Sequence, residues 1–479
     1  MHVRPTPDST HASAVAEGPH TQALVRTLGL WDVTAITAGT ILGSAIFVAA
    51  AFVPRAVPHP ALALLLWVAG GLIVIAGTLT YAELGTMFPG AGGQYNYIKQ
   101  AFGPLWGFLF GWTSLLAIQA GANAYLGVAF GEYLGAFLPF FSSAHTIASI
   151  PIGPWIWRPN TAQLAGVSAI AVLSTVNYFG TRQGASVQGA LTAIKLLSVG
   201  GLIGFGLLAP ATATPDWTAP LPSVNLLTAM GLAIAAVLGT FDGWYQATLC
   251  AGEIKRPERN LPLGMIGGTV LIGLLYLLVN LVYFRAMPLS EIGMSTRIGE
   301  QAATALLGPM AGRLLAAGVL VSIFGCLSSA FLPASRLGLP MSEDAPACRW
   351  MARIHPRHHT PTASIVTLGV WSMLLVLTGS YEQLFEYVVF SGIIFHVITG
   401  LALFQLRRQR PETPRPYRVV GYPWVPGLFV VAMTGLLLNT IYERPFQSLL
   451  GVCLVALGVP VFRWRRPLTA PRIAGPTPE

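Results

Sequence analysis

Apolar residues run along this chain in long blocks, near 31–54, 62–88, 105–137, 161–180, 187–209, 225–249, 262–287, 310–340, 362–379, 384–406, 424–442 and 446–464. Each block approaches or exceeds the roughly 17–25 residues that a helix needs to cross hydrocarbon. The blocks are too long and too continuous for barrel strands, which alternate over about ten residues. The pattern predicts an all-α integral membrane protein with about twelve transmembrane helices. Residues 1–25 are polar and rich in Pro, Ser and Thr, with no apolar core of a cleaved signal, and are expected to be a disordered cytoplasmic tail. Residues 466–479 are expected to form a second cytoplasmic tail.

Composition agrees with this class. Of 479 residues, 54% are hydrophobic and only 9% charged, against about 25% charged in soluble domains. With the N-terminus inside, twelve spans place Lys99, Arg182, Lys255, Arg256, Arg259, Arg336, Arg349, Arg353, Arg357, Arg407, Arg408, Arg410, Arg415, Arg418, Arg463, Arg465 and Arg466 in cytoplasmic segments. Only Arg55, Arg158, Arg285, Arg297, Arg313 and Arg444 fall outside. This asymmetry supports an even span count and cytoplasmic termini, in what is expected to be the plasma (inner) membrane. The net charge of +9 is then accounted for by anionic membrane lipids, without nucleic acid.

The chemistry is sparse. Cys250, Cys326, Cys348 and Cys453 have neither the spacing of a zinc site nor the setting of a disulfide framework. The run "HPRHH" at 355–359 lies in an arginine-rich cytoplasmic loop and is a weak metal candidate. No Gly-x-x-x-x-Gly-Lys-[Ser/Thr] loop occurs, so no nucleotide-driven motor is encoded. His396 has no carboxylate at helical spacing and is expected to be a packing residue. The loop "PGAGGQY" at 89–95 is expected to be a tight turn. No convergent catalytic set is present, so neither an enzyme nor a cofactor is expected.

Two ionisable residues interrupt apolar blocks: Lys195 in the fifth and Asp242 in the sixth. An ion near the bilayer centre costs about 2.5–3.5 kcal/mol on insertion scales, so such residues face a partner or a wet cavity. Lys195 either does this or snorkels to an interface; Asp242 either contacts a ligand or caps backbone freed by a helix break. The first block contains "TAGTILGSAIF", where Gly39 and Gly43 have the spacing of close helix packing but also of an unwound, ligand-holding segment. The sixth block contains "GTFDG", about 200 residues later. Paired interruptions at equivalent places in two halves point to an inverted-repeat transporter with its site near the midplane. A break is tolerable in lipid only where it lines a cavity. Its freed N–H and C=O groups suit the carboxylate and ammonium of a zwitterion.

Six segments, taken jointly, resemble the L-type amino acid transporter family of the amino acid, polyamine and organocation superfamily. They are "GTILGSAIF" at 39–47, "YAELGTMFPGAGGQYNYIKQAFGP" at 81–104, "NYFGTRQGASVQGALTAIK" at 177–195, "FDGW" at 241–244, "EIKRPERNLP" at 253–262 and "PYRVVGYPWVP" at 416–426. The resemblance implies a LeuT-like five-plus-five inverted repeat with two C-terminal helices: a transporter domain over 26–465, repeat one at about 29–209, repeat two at about 225–406 and the extra helices at about 424–464. It implies sodium-independent, alternating-access transport of L-amino acids. Thr40, Ile41, Gly43, Ser44 and Ala45 match the unwound first span that holds the substrate carboxylate. Gly239, Thr240, Phe241 and Asp242 match the sixth-span break that holds the α-amino group. Lys195 matches a family lysine standing in for a sodium ion beside the first break, and Tyr276 a tyrosine working with it.

The chain departs from the family pattern at Ala45, often glycine, at Gly239, often an aromatic gate, and at Asp242, often a small residue. These departures leave substrate size and charge open. The segment 139–160 has no cysteine, so no disulfide-linked ancillary subunit is expected, and the partners are a small amino acid and membrane lipid. A proton-coupled symporter and a non-transporting amino acid sensor are the alternatives.

Overall fold

The computed structural model describes residues 26–89, 92–152, 155–179, 184–222, 225–353, 355 and 360–464. The expected tails, 1–25 and 466–479, and positions 356–359 of the histidine run lie outside the described residues. Every apolar block carries a helix. We number these α1 (Leu30–Ile41), α2 (Pro60–Met87), α3 (Pro104–Leu134), α4 (Thr161–Phe179), α5 (Gly184–Leu208), α6 (Leu226–Thr240), α7 (Pro257–Ala286), α8 (Pro309–Arg336), α9 (Thr362–Thr378), α10 (Tyr381–Gln409), α11 (Trp424–Glu443) and α12 (Pro445–Arg463). Nine segments among the described residues are long and apolar enough to span a membrane, the first counted through Phe47. Three shorter apolar helices, Ala193–Leu208, Leu226–Thr240 and Thr362–Thr378, occupy the remaining expected spans. The sixth is short because it breaks, as its glycines predicted.

The broken helix α1 and the long α2 both pack on α7, while α3 packs on α4, α8, α9 and α10. Small residues set the α3–α4 crossing: a Cβ on Gly166 would lie 2.6 Å from the Gly127 backbone, and one on Gly131 would lie 2.1 Å from the carbonyl oxygen of Ala162. In lipid, where apolar surface gains little by association, such close backbone approach supplies the packing. A π-helical turn at Ser114–Gln119 interrupts α3 beside α10, a distortion common at functional sites.

The two ends of the bundle differ. At the end where α2 finishes and α11 begins, Glu83 is fully buried and accepts from Arg407 Nε (2.9 Å) and Nη2 (2.6 Å) and from the Val419 N–H (2.7 Å), with Arg415 at 3.7 Å. Arg407 also lies over the Tyr422 ring, 3.7 Å from its centroid. Lys99 pairs with Asp344 at 2.9 Å on this side, and the segment before α1 meets the segment after the sixth-helix break in a single bridge, Leu28 against Ile254. The other end carries Arg55, Glu382 and Arg444. Two short antiparallel strands, Ile150–Ile152 and Trp155–Trp157, lie within the segment that joins α3 to α4.

Candidate functional site

Helix α1 stops at Ile41 for reasons legible in its residues. Thr37 and Thr40 donate back to the carbonyls of Val33 (2.9 Å) and Ile36 (2.8 Å), a pattern that bends helices, and Gly39 and Gly43 are poor helix formers. Gly43 is extended, at φ −93° and ψ −172°, and its N–H turns back to the Ile41 carbonyl at 2.6 Å. A tight helical turn resumes at Ser44–Phe47. Helix α6 stops at Thr240, and a second tight turn begins only at Gln246. Between them Gly243 takes φ +99°, where a Cβ would also meet the Thr40 carbonyl oxygen at 2.7 Å. Glycine is thus required twice over, by conformation and by the approach of the first break.

The two breaks meet. Thr40 Oγ1 lies 3.0 Å from the Gly243 carbonyl oxygen. Tyr276 of α7, fully buried, places its hydroxyl 2.8 Å from the Ile41 carbonyl and 3.3 Å from the Thr240 carbonyl, the last residues of the two interrupted helices. One phenol proton serves one acceptor at a time, so the hydroxyl sits between the two ends and can switch. Trp67 and Phe241 hold the Tyr276 ring edge-on, at centroid distances of 5.7 and 5.1 Å. Beyond the break, Tyr283 and Tyr133 donate to the carbonyls of Ile46 (3.1 Å) and Phe47 (2.8 Å).

Ser44 is fully buried, yet its hydroxyl has no hydrogen-bond partner. Leaving a buried polar group unpaired costs about 1–3 kcal/mol. Ile41 and Ala45 are buried around it and Gly43 is partly accessible. On the other side of the sixth-helix break lies a narrow cavity of about 40 Å³, lined by Gly239 and Asp242 together with Gln94, Tyr245, Phe385 and His396. None of the described ion pairs involves Asp242. Thr40, Ile41, Gly43, Ser44, Ala45, Thr240 and Phe241 do not line this cavity, so the expected site residues divide between a compact junction and a neighbouring pocket.

Lys195 and Tyr276 are not joined by a hydrogen bond. Lys195 is buried and donates to Cys326 Sγ on α8 at 2.9 Å.

Two lining residues escaped sequence reasoning. Gln94 belongs to the glycine loop taken for a simple turn: Gly92 and Gly93 both have positive φ and launch the helix Gln94–Phe102. The Gln94 amide reaches α10, donating to the Phe395 carbonyl (3.1 Å) and Thr399 Oγ1 (2.9 Å). His396, expected only to pack, bonds to the Tyr81 hydroxyl at 2.8 Å and stacks near Trp244 while its ring also faces the cavity. The signal for both lay in α10, where Gly392 and His396 share a helical face, but nothing in the sequence tied that face to "FDGW".

Comparison with known proteins accords with this architecture. Residues 28–449 match the family model described as amino acid permease. The serine/threonine exchanger SteT of Bacillus subtilis is 30% identical over 92% of this chain and 98% of its own length. The human b(0,+)-type amino acid transporter 1 is 31% identical over 90% of this chain and 86% of its own. The mouse large neutral amino acids transporter small subunit 2 is 27% identical over 96% and 84%. These relatives are transporters and not enzymes. With a family match covering most of its length and a bundle of membrane-spanning helices broken in pairs, this chain belongs to the amino acid permease family.

Proposed function

We propose that this permease is a stand-alone carrier of L-amino acids in the plasma (inner) membrane, working by sodium-independent exchange, with both termini and the Glu83–Arg407 end in the cytoplasm. The single observation that carries the reading is the meeting of two interrupted helices at the Tyr276 hydroxyl. A switchable bond between two broken ends lets one end move while the hydroxyl passes its single proton to the other. The substrate carboxylate is assigned to Ser44 and the surrounding backbone of Thr40, Ile41, Gly43 and Ala45. The α-amino group is assigned to the carbonyls of Gly239, Thr240 and Phe241. These groups fit a zwitterion because a hydroxyl donates to the carboxylate while carbonyls accept from the ammonium.

Asp242 is assigned to the substrate side chain. Among the described residues it has no ion-pair partner, and Gln94 and His396 line the same cavity, so a cationic or hydroxyl-bearing side chain would complete its bonding. Among the relatives, one is named for serine and threonine, and we extend that small polar range to this chain, the cationic part of the range resting on Asp242 itself. In Asp242→Asn, uptake of arginine is expected to fall about tenfold relative to serine, the equivalent of a charged hydrogen bond of about 1.5–3 kcal/mol. Equal loss for both substrates would remove Asp242 from selectivity.

Lys195 is assigned a positioning role, a fixed cation bonded to Cys326 in place of a bound sodium ion. Lys195→Ala is expected to slow exchange by roughly tenfold, with wild-type amounts in the membrane, since a broken polar contact is worth about 1 kcal/mol or more. Restoration by added sodium would identify the cationic role; unaltered flux would dismiss it. The overall reading is tested by uptake of labelled amino acids into vesicles holding the purified protein. Unlabelled amino acid inside is expected to accelerate uptake. Acceleration by an inward proton gradient alone would make the protein a symporter, and binding without flux would make it a sensor.

A further inference from the structure

A second cavity, of about 210 Å³, opens at the Arg55 end between α6, α10, α11 and α12. It exceeds the roughly 150 Å³ that suffices to hold benzene in an engineered protein cavity. Its rim carries four charges in two pairs. Arg55 Nη1 lies 2.6 Å from Glu382 Oε2, and Arg444 Nη2 lies 3.2 Å from Glu386 Oε1, with all four side chains about a third exposed (31–40%). Glu382 and Glu386 stand one turn apart on the same face of α10, where like charges repel unless each is matched. The pairs are not equivalent. Arg55 is fixed by its Nε bond to the Gly293 carbonyl (2.6 Å) and by its position over the Phe52 ring. Arg444 is held to Glu386 by one longer contact, leaving guanidinium donors to spare.

Below the rim the walls are apolar, formed by Leu232, Ala235, Phe385 and Val389. Phe385 and Val389 also line the pocket that contains Asp242. They close in on α6 because position 239 has no side chain: a Cβ there would lie 2.5 Å from both Phe385 Cζ and Val389 Cγ2. The two cavities are therefore separated by one layer of side chains, leaning on a glycine.

We infer that this cavity is an acceptor site for zwitterionic α-amino acids on the Arg55 side, from which substrate passes the Phe385–Val389 partition to the inner pocket. A molecule with one ammonium and one carboxylate can exchange partners with the Arg444–Glu386 pair without altering the net charge of the rim. Its ammonium takes Glu386, its carboxylate takes Arg444, and its side chain rests on the apolar floor. The same chemistry, an ammonium beside an anion, occurs in a phosphatidylethanolamine headgroup.

The inference rests on the carrier reading, and the test separates the two. The double variant Arg444→Gln/Glu386→Gln keeps the net charge and leaves no ion unpaired, and Ala235→Phe fills the floor without touching the rim. Uptake of a 14C-labelled mixture of protein L-amino acids is measured from each face in oriented vesicles made of phosphatidylglycerol alone. Both variants are expected to raise the half-saturating concentration about tenfold from the Arg55 face and to leave the opposite face unchanged, a charged hydrogen bond's worth of affinity. Should the double variant fail to insert, Ala235→Phe carries the test alone. Absence of uptake by the wild type would overturn the carrier reading and this inference with it. Wild-type uptake with unshifted variants, or with equal shifts from both faces, would overturn the inference only. A one-sided shift that appears only after phosphatidylethanolamine is added would assign the cavity to lipid and likewise overturn it.

Discussion

Ser44→Ala is expected to melt at or above the wild-type temperature while amino acid exchange falls by about 10-fold to 100-fold. The opposite directions of the two readouts are the point. Ser44 is fully buried and its hydroxyl has no partner, so deleting that oxygen removes a standing desolvation cost of about 1–3 kcal/mol and leaves only a small void. A hydroxyl kept there for structure would behave the other way, because its loss would break a bond. If it donates to a substrate carboxylate, the charged hydrogen bond lost is worth about 1.5–3 kcal/mol, which sets the range in flux. Differential scanning fluorimetry and vesicle exchange on the same preparation check both halves. Lower stability with undiminished exchange would move the carboxylate site away from the first break.

The breaks were legible because their cause is local. Thr37, Thr40, Gly39 and Gly43 weaken α1 by back-bonding and by propensity, and the same glycine and threonine chemistry ends α6 at Thr240; both effects act within a few residues of the sequence. Lys195 and Asp242 were legible because a charge inside an apolar block is costly anywhere in the chain. What the breaks do to each other was not legible. The approach of Thr40 to Gly243 spans 203 positions, and the fully buried Tyr276 between them sits in an ordinary apolar run, distinguished by the family resemblance alone. The packing role expected of His396 and the turn expected at Gly92 and Gly93 are both present, but the place of Gln94 and His396 in the cavity wall was not legible, for a related reason. Their neighbours were read along the chain, whereas the residues that give them meaning, Phe395 and Thr399 for one and Tyr81 and Trp244 for the other, come from packing of separate helices. Lys195 shows the converse: its burial was legible along the chain, whereas its hydrogen-bond partner, Cys326 of α8, comes from 131 positions away.

Among substitutions away from the candidate site, Glu83→Gln is expected to be the most damaging, lowering stability by about 3–5 kcal/mol. Two features make this carboxylate costly to neutralise. It has no solvent exposure, and it answers two guanidinium groups and a backbone amide at once: Arg407 through both Nε and Nη2, Arg415 at 3.7 Å and the Val419 N–H at 2.7 Å. A fork-to-fork arginine contact of this kind is geometrically specific, so glutamine, with one acceptor oxygen and an NH2 facing the guanidinium, retains at most part of it. Arg407 would keep its contact with the Tyr422 ring, worth about 0.5–2 kcal/mol, which cannot offset a buried and unmatched charge. The same contacts tie α2 to the end of α10 and to the segment preceding α11, so the loss is expected to loosen that whole end of the bundle. Limited proteolysis within 410–423 should accelerate, and the melting temperature should fall. The pairing itself is isolated by Glu83→Gln/Arg407→Met, which removes the unmatched charge and is expected to recover part of the lost stability; a double variant as unstable as the sum of its parts would show that Glu83 acts through Arg415 and the Val419 amide and not through Arg407.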